Sequence, residues 1–391
     1  MKRKLVYLDY AATTPVHPRV LKVMLPYFLE KFGNTMSLYS LGQEAKQALE
    51  KSRKVISNFI GANSEEIIFT SSATESNNLA LKGIAFANRN KGRHIIISSI
   101  EHHCIIESAK WLETQGFQIT KLKVDKYGLV NPKDLKEAIR KDTILVSVMH
   151  ANNEIGTIEP IREIGNICRE KGIYFHTDVA QTFGKFPIDV NKMHIDLLTA
   201  SSHKMYGPKG VALLFVREGV KIEPLIHGGG HERGLRSSTV SVPAIVGFSE
   251  AVKICQKEMI KENQREKKLR DRLIRGILKT IPSSHLNGHP KKRLSNNANF
   301  WFDFIEGESI IFQLDTLGVA ASTGSACSSP TLEPSHVLLA IGLKHQQAHS
   351  SLRLSLGRET KEKDIDYILK VLPGIIQNLR KISPFKHIKH K

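Results

Sequence analysis

Short apolar runs rich in β-branched residues alternate with helical patterns through the middle of the chain, and this alternation constrains the fold most. Buried strands separated by helices are typical of a mainly parallel sheet that is covered by helices. We therefore predict an α/β fold in which ligands bind at the carboxyl ends of the strands. The runs cover residues 67–69, 95–97, 119–124, 144–149, 173–175, 197–199 and 211–216.

Two of the intervening helices carry clear start and stop signals. Asn131 followed by proline predicts the start of a helix over residues 132–140. A second helical pattern covers residues 160–170, and Gly172 predicts its end. These signals support helices between strands rather than a continuous run of hairpins.

The C-terminal third of the chain has a different character. A long charged helical pattern runs from Ala244 to about Lys279, and Pro282 and Pro290 mark the break after it. Short strands and helices then follow without the earlier alternation. We predict a smaller α+β domain here, which begins within the long helix.

Composition excludes several classes of protein. The chain has 391 residues, of which 41% are hydrophobic and 24% charged, as expected for a globular protein of about two domains. No run reaches the roughly 18 apolar residues of a membrane helix, so we expect no membrane association. The four cysteines lie far apart, which argues against a disulfide scaffold and is compatible with the cytoplasm.

The net charge of +19 has several interpretations. A nucleic-acid partner, an acidic protein partner, and solubility combined with anionic ligands are all compatible with it. Charge alone does not choose among them.

Polar clusters follow three of the predicted strands. Residues 70–77 carry hydroxyls where a strand turns into a helix, which indicates either an anion site or a plain helix cap. Asp178 ends another strand, and Lys204 closely follows a third. A carboxylate and a lysine at neighbouring strand ends form either a structural ion pair or the pyridinium partner and Schiff-base lysine of a pyridoxal phosphate site.

Residues 101–104 include two adjacent histidines and a cysteine, yet they do not predict a metal site. Consecutive residues on a helix point in different directions, so they cannot easily share one ion. His102 is better placed to lie over a planar ring or to move a proton, with a solvated surface histidine as the alternative.

Cys327 differs from the other cysteines in its neighbours. Serine, threonine and glycine flank it, which indicates an exposed polar loop and a nucleophilic thiol. Cys104, Cys168 and Cys255 lie in apolar helical patterns and are predicted to be core residues. Arg353 is a charge within a strand pattern and requires a partner such as a carboxylate.

Several of these segments together resemble one known family, the cysteine desulfurases of the NifS/IscS type. The resemblance covers nearly the whole chain. Its motifs lie at residues 7–15, 73–76, 152–156, 202–204, 228–236, 324–327 and 332–335.

The resemblance implies the pyridoxal phosphate-dependent transferase fold of type I, which is aspartate-aminotransferase-like. Residues 15–257 would form the large cofactor-binding domain, with residues 1–14 and 258–391 in the small domain that carries the Cys327 loop. Lys204 would bind the cofactor covalently, and Asp178 would pair with its pyridine nitrogen. The implied cofactor-binding residues are Ala73, Thr74, His102, Asn153, Asp178, Gln181, Ser201, His203, Lys204 and, from the partner subunit, Thr239.

The same resemblance implies the reaction and the partners. L-cysteine would be converted to L-alanine, with Lys204, Cys327 and His102 as catalytic residues and the sulfur left on Cys327 as a persulfide. Asn34, Asn153 and Arg353 would hold the substrate carboxylate. A homodimer and a sulfur-acceptor protein are expected, the acceptor serving iron–sulfur clusters or thiolation, and neither a metal ion nor direct nucleic-acid binding is expected.

Some positions depart from the family pattern, and two alternatives stay open. Ser72 stands where glycine is usual, Thr35 where proline is usual, and Pro330 follows the cysteine loop. Residues 386–391 form a short basic C-terminal end. Members of the family use a longer end to dock an iron–sulfur scaffold protein, so such docking is in doubt here. The alternatives are another enzyme of the same fold, such as an aminotransferase or selenocysteine lyase, and a protein that binds RNA or an acidic partner.

Overall fold

The structure is a computed structural model that describes residues 5–324 and 333–384. Its strands are β1 Val6–Tyr7, β2 Ile67–Thr70, β3 His94–Ser98, β4 Gln118–Leu122, β5 Thr143–Ser147, β6 Tyr174–Asp178, β7 Leu197–Ser201, β8 Ala212–Val216, β9 Ser284–Asn287, β10 Asn297–Phe302, β11 Val319–Ala320 and β12 Ser351–Ser355. Its helices are α1 Pro18–Met24, α2 Pro26–Leu29, α3 Ser40–Ile60, α4 Ala73–Asn88, α5 His103–Thr114, α6 Pro132–Ala138, α7 Ile161–Lys171, α8 Val242–Thr280, α9 Gly307–Thr316, α10 His336–Ala340, α11 His345–His349 and α12 Glu362–Ile382.

A seven-stranded sheet forms the centre of the molecule, in the order β2-β8-β7-β6-β5-β3-β4. Each apolar run predicted to be a strand contributes to it. All pairings are parallel except those of β8, which runs antiparallel to both β2 and β7. The predicted α/β fold with a mainly parallel sheet is therefore confirmed.

The predicted capping residues act at the ends of α6 and α7. Asn131 Oδ1 accepts a hydrogen bond of 3.0 Å from the backbone N–H of Lys133, which satisfies one of the free donors of α6. Gly172 ends α7 with φ of +65°, a conformation that glycine adopts without steric cost. Helix α6 ends at Ala138, two residues before the predicted end, because Ile139 has an extended backbone.

Helix α8 contributes to two separate hydrophobic cores. Val252 and Cys255 pack in the core beneath the central sheet, whereas Leu269 and Leu273 pack in a second core with the three-stranded antiparallel sheet β12-β10-β9. The N-terminal strand β1 pairs with β11 next to this second core. The division at residue 257 remains a prediction, and this arrangement is compatible with it.

Within residues 5–324 and 333–384, no helix is both long and apolar enough to cross a membrane.

Candidate active site

A cavity of about 500 Å³ opens at the carboxyl ends of β6 and β7. Asp178 and Ser201 are the last residues of these two neighbouring strands, so the parallel pairing brings their side chains to one edge of the sheet. The other predicted site residues that line the cavity are Ala73, Thr74, His102, Asn153, Gln181, His203, Lys204 and Arg353.

Asp178 is buried and held by two donors. Its Oδ1 accepts a hydrogen bond of 2.8 Å from the backbone N–H of Ala180, and its Oδ2 accepts one of 2.7 Å from Asn77 Nδ2. Both contacts fix the direction of the carboxylate. A carboxylate fixed in this way at the base of a cavity can stabilise a cationic ring nitrogen.

His102 caps helix α5 with its own ring. Nδ1 accepts a hydrogen bond of 3.2 Å from the backbone N–H of Cys104, so the ring proton of the neutral form lies on Nε2. Burial lowers the pKa of His102, and the positive charges of Lys204 and His103 lower it further against the opposing effect of Asp178. The ring is therefore neutral near pH 7, which suits stacking on an aromatic ring.

The amino group of Lys204 lies against the N-terminal segment. Nζ donates hydrogen bonds of 2.7 Å and 2.6 Å to the backbone carbonyls of Ala11 and Ala12. Gln181 Nε2 donates to the same Ala11 carbonyl at 3.1 Å. A short stretch of backbone after β1 thus forms one wall of the site, which sequence reasoning did not anticipate.

The start of α4 forms another wall. Ser72 Oγ accepts a hydrogen bond of 3.1 Å from the backbone N–H of Glu75, so this hydroxyl is a helix cap. Thr74 and His203 also line the cavity. Burial lowers the pKa of His203 to about 4, so its ring is neutral and can donate or accept a hydrogen bond.

Arg353 has the carboxylate partner that its position in a strand predicted. Its Nη2 donates to Asp9 Oδ1 at 2.8 Å, and its Nη1 donates to the backbone carbonyls of Asn153 at 3.1 Å and Gly324 at 3.2 Å. Its Nε is buried without a hydrogen-bond partner in the described part of the chain. The buried guanidinium therefore keeps donor capacity beside the cavity.

Two predicted site residues do not line this cavity. Both Asn34 and Thr239 are exposed, and Thr239 was predicted to act in the site of the partner subunit. Asn34 Oδ1 instead accepts a hydrogen bond from the backbone N–H of Met36. Cys327 lies outside the described residues.

Cys104 packs against the apolar core, as predicted, and also lines the cavity, which was not predicted. Its Sγ lies 3.1 Å from His102 Nδ1 and accepts a hydrogen bond of 3.2 Å from Asn77 Nδ2. Burial raises the pKa of this thiol to about 12. The position of Cys104 at the start of α5, two residues after His102, was the sequence signal for this placement.

Comparisons with known proteins point to one family. The model of the family described as aminotransferase class-V matches residues 6–368. A curated relative from Methanosarcina thermophila, named cysteine desulfurase IscS, is 55% identical over 383 residues, which cover 98% of this chain and 95% of the relative. A relative from Dictyoglomus turgidum with the same name is 54% identical, and the match covers 99% of this chain and 98% of the relative. The chain belongs to the cysteine desulfurases of the class-V aminotransferase family.

Solved structures agree with this family assignment. A NifS-like protein aligns with a TM-score of 0.90 and 38% identity over 96% of this chain and 100% of that one. A structure described as SspA in complex with cysteine aligns with a TM-score of 0.81 and 39% identity over 90% and 98%. The predicted family and type I fold of the desulfurase are confirmed, and so is its dependence on pyridoxal phosphate.

The cavity of this desulfurase fits pyridoxal phosphate in its chemistry. Gln181 Oε1 is buried and has no hydrogen-bond partner among the described residues, so it can accept a hydrogen bond from a ring hydroxyl. Asp178 offers a fixed negative charge, and Lys204 offers an amine. The cavity thus contains a suitable group for each of the three parts of the cofactor, which are the ring, the phosphate and the aldehyde.

Proposed function

We propose that this protein removes sulfur from L-cysteine, releases L-alanine, and leaves the sulfur on Cys327 as a persulfide. The observation that carries the proposal is that Lys204, Asp178, His102 and Arg353 line one cavity. A lysine, a fixed carboxylate, a neutral imidazole and a carboxylate-binding guanidinium are the groups that such chemistry on an amino acid requires.

Pyridoxal phosphate, when bound, withdraws electrons from the substrate and so eases loss of the proton on Cα. Lys204 would hold the cofactor covalently, and its amine, once free, would take the Cα proton of the substrate. The Asp178 carboxylate would keep the pyridine nitrogen protonated. His102 would pack on the ring, and Thr74, Ser201 and His203 would hold the phosphate.

Arg353 orients the substrate through its carboxylate, together with Asn153. Its Nη1 is already fixed on two backbone carbonyls, so the direction of the guanidinium is set before substrate arrives. The Asp9 carboxylate holds Nη2 from the other side. We expect the substrate carboxylate to bind the remaining N–H groups of this guanidinium.

The Cys327 thiolate attacks the sulfur of the bound substrate. A bond forms between the two sulfur atoms while the bond between Cβ and sulfur of the substrate breaks, and its electrons remain on the carbon. Protonation of that carbon, together with return of a proton from Lys204 to Cα, gives alanine, and no external oxidant or reductant is consumed. Transfer of the persulfide sulfur to an acceptor protein, for iron–sulfur cluster assembly or thiolation, regenerates the thiol.

A homodimer is part of the proposal, because exposed Thr239 would contribute to the phosphate site of the partner subunit. An apolar surface supports this state, since monomeric proteins rarely expose so many large hydrophobic side chains together. Its most exposed members between residues 25 and 38 are Leu25, Phe28, Leu29, Phe32, Met36 and Leu38. We place the protein in the cytoplasm.

Mixing two inactive variants tests the shared site. In a dimer of Lys204→Ala with Thr239→Ala, one cofactor site collects both changes and the other collects neither. Activity that returns on mixing and refolding supports a shared site. Persistent inactivity of verified mixed dimers, or an active monomer, would contradict it.

Absorbance and product analysis with L-cysteine test the reaction itself. We expect a yellow protein that forms one alanine and one Cys327 persulfide per site, with no persulfide and no catalytic turnover in Cys327→Ala. Lys204→Ala should lose the absorbance of the covalently bound cofactor. Turnover that depends on a 2-oxo acid and is indifferent to Cys327→Ala would instead identify an aminotransferase.

A further inference from the structure

One buried carboxyl group lies between the two ends of the segment that carries Cys327. Ser335 Oγ donates a hydrogen bond of 2.5 Å to Glu154 Oε2. On the other side, a Cβ at Gly324 would lie only 2.6 Å from the same oxygen. Glu154 Oε2 is thus bonded to Ser335, which follows residues 325–332, and lies close to Gly324, which precedes them.

The backbone of Glu154 is held from two directions. Its N–H donates a hydrogen bond of 2.8 Å to Asn152 Oδ1, and its carbonyl accepts bonds of 3.2 Å from Asn297 Nδ2 and 3.1 Å from Asn299 Nδ2. Asn297 and Asn299 lie on β10, in the sheet of the second core. The backbone that carries this carboxyl group is therefore fixed both by the preceding residues of its own segment and by β10.

Each end of the segment has a further anchor of its own. The Gly324 carbonyl accepts a hydrogen bond of 3.2 Å from Arg353 Nη1, and its N–H donates one of 3.3 Å to Ser351 Oγ. Ser335 caps α10, since its Oγ also accepts a bond of 3.2 Å from the backbone N–H of Leu338. Because Arg353 bonds Gly324 directly, the proposed carboxylate-binding group and this end of the segment are coupled.

Glu154 carries a carboxyl group in a buried environment. The side chain is buried, and burial raises its pKa, although the positive charges of Arg353 and His103 act in the opposite direction. The hydroxyl of Ser335 further stabilises the charged form. Burying an acid is costly unless hydrogen bonds compensate, and the described bond to this carboxyl comes from Ser335.

We propose that Glu154 is a positioning residue for sulfur transfer, which fixes the spacing and direction of Gly324 and Ser335 and through them the approach of Cys327 to the bound substrate. This inference rests on the proposed transfer of sulfur to Cys327. It assigns Glu154 no contact with cofactor or substrate. Its effect is on geometry, where small displacements of reacting groups are costly.

Ser335→Ala is the most direct test, because it removes one hydroxyl at the end of the segment and leaves the buried acid in place. We expect the rate of Cys327 persulfide formation in a single turnover to fall by about tenfold or more, as misplacement of a nucleophile predicts. The dissociation constant for L-cysteine, from the change in cofactor absorbance, should stay within about twofold of the unsubstituted protein. Ser335→Thr keeps the hydroxyl and should restore the rate.

Glu154→Ala should show the same separation of binding from sulfur transfer. Combined with Ser335→Ala, it should add little further loss, because residues that act through one contact are not additive. Glu159→Ala is the matched control, since Glu159 is also a buried acid and accepts a hydrogen bond from the Val130 N–H, away from this segment. A second readout is the rate of Cys327 alkylation in the absence of L-cysteine, which should change in Ser335→Ala and Glu154→Ala and not in Glu159→Ala.

Three results would overturn the inference. Persulfide formation at the normal rate in Ser335→Ala is the first, an equal loss in substrate binding and sulfur transfer is the second, and fully additive losses in the double variant are the third. If Glu154→Ala fails to fold, the Ser335 variants decide alone. Failure of the proposed function is distinguishable, because then the unsubstituted protein forms no Cys327 persulfide.

Discussion

Asn77 Nδ2 donates a hydrogen bond of 2.7 Å to Asp178 Oδ2, so a residue on helix α4 fixes the carboxylate at the end of strand β6. The same amide nitrogen lies 3.2 Å from Cys104 Sγ. Neither contact is evident from the sequence, since Asn77 and Asp178 are far apart along the chain. The bond from Asn77 therefore orients the Asp178 carboxylate, which supplies the negative charge that the proposed chemistry requires.

Removal of that bond should weaken cofactor binding. We expect Asn77→Ala to raise the dissociation constant for pyridoxal phosphate by roughly tenfold, because a hydrogen bond to a buried charged group contributes about 1.5 kcal/mol or more. Titration of the cofactor-free protein by absorbance measures this change. Asn191→Ala, in an exposed turn, is the control and should bind as the unsubstituted protein does.

Cys104 should be chemically inert although it lines the cavity. Burial raises its pKa to about 12, and it raises that of Cys255 to about 11. Both thiols therefore stay protonated up to pH 9, and only thiolates react rapidly with alkylating agents. Peptide mass analysis after brief iodoacetamide treatment should show modification of Cys327 well before Cys104, and Cys104→Ala should retain sulfur transfer; modification of Cys104 at the same rate would contradict this prediction.

A buried ion pair holds Glu232, within residues 228–236, against helix α3. Arg53 Nη1 lies 2.7 Å from Glu232 Oε2, both side chains are almost fully buried, and the same carboxylate accepts a hydrogen bond from the Phe69 N–H. We expect Arg53→Ala to lower the free energy of unfolding by about 3 to 5 kcal/mol, because it leaves a buried charge unpaired. Urea denaturation measures it.

The exposed pair of Lys31 and Glu44 provides the comparison for that measurement. Lys31→Ala should lower the free energy of unfolding far less than Arg53→Ala does, since water screens exposed pairs. Similar losses of unfolding free energy in the two variants would show that the buried Arg53 pair stabilises the fold no more than the exposed pair does.

His176 should make the fold sensitive to acid. Burial lowers its pKa to about 3, below its ordinary value of 6.5, and its ring nitrogens contact Ser147 and Thr199 hydroxyls. A depressed folded-state pKa gives a contribution to stability that is complete above pH 6.5 and is lost as the pH falls towards 3. In this window the unfolded chain binds one proton that the folded chain does not.

Substitution of His176 should therefore flatten the pH dependence of stability. For His176→Gln we expect the slope of unfolding free energy against pH, between about pH 6 and pH 4, to decrease by about 1.4 kcal/mol per pH unit. His227→Gln, at an exposed position, should leave that slope unchanged. Equal slopes for His176→Gln and the unsubstituted protein would show that protonation of His176 does not contribute to the pH dependence of stability.

The local patterns of the sequence were sufficient for much of the fold. Apolar β-branched runs identified the strands of the large sheet, because residues buried on both faces leave no polar alternation. Asn131 and Gly172 marked helix ends through interactions that involve only nearby backbone. Asp178 and Lys204 were found because polar residues that follow parallel strands must collect at one edge of the sheet.

The tertiary structure alone decided how these groups are held. The backbone carbonyls of Ala11 and Ala12 accept hydrogen bonds from Lys204, and Asp9 accepts one from Arg353, in the segment that follows β1. Such contacts join residues far apart in the chain and leave no periodic signal in either segment. The sequence by itself thus determined which chemical groups are present, whereas packing of distant segments determined which of them meet.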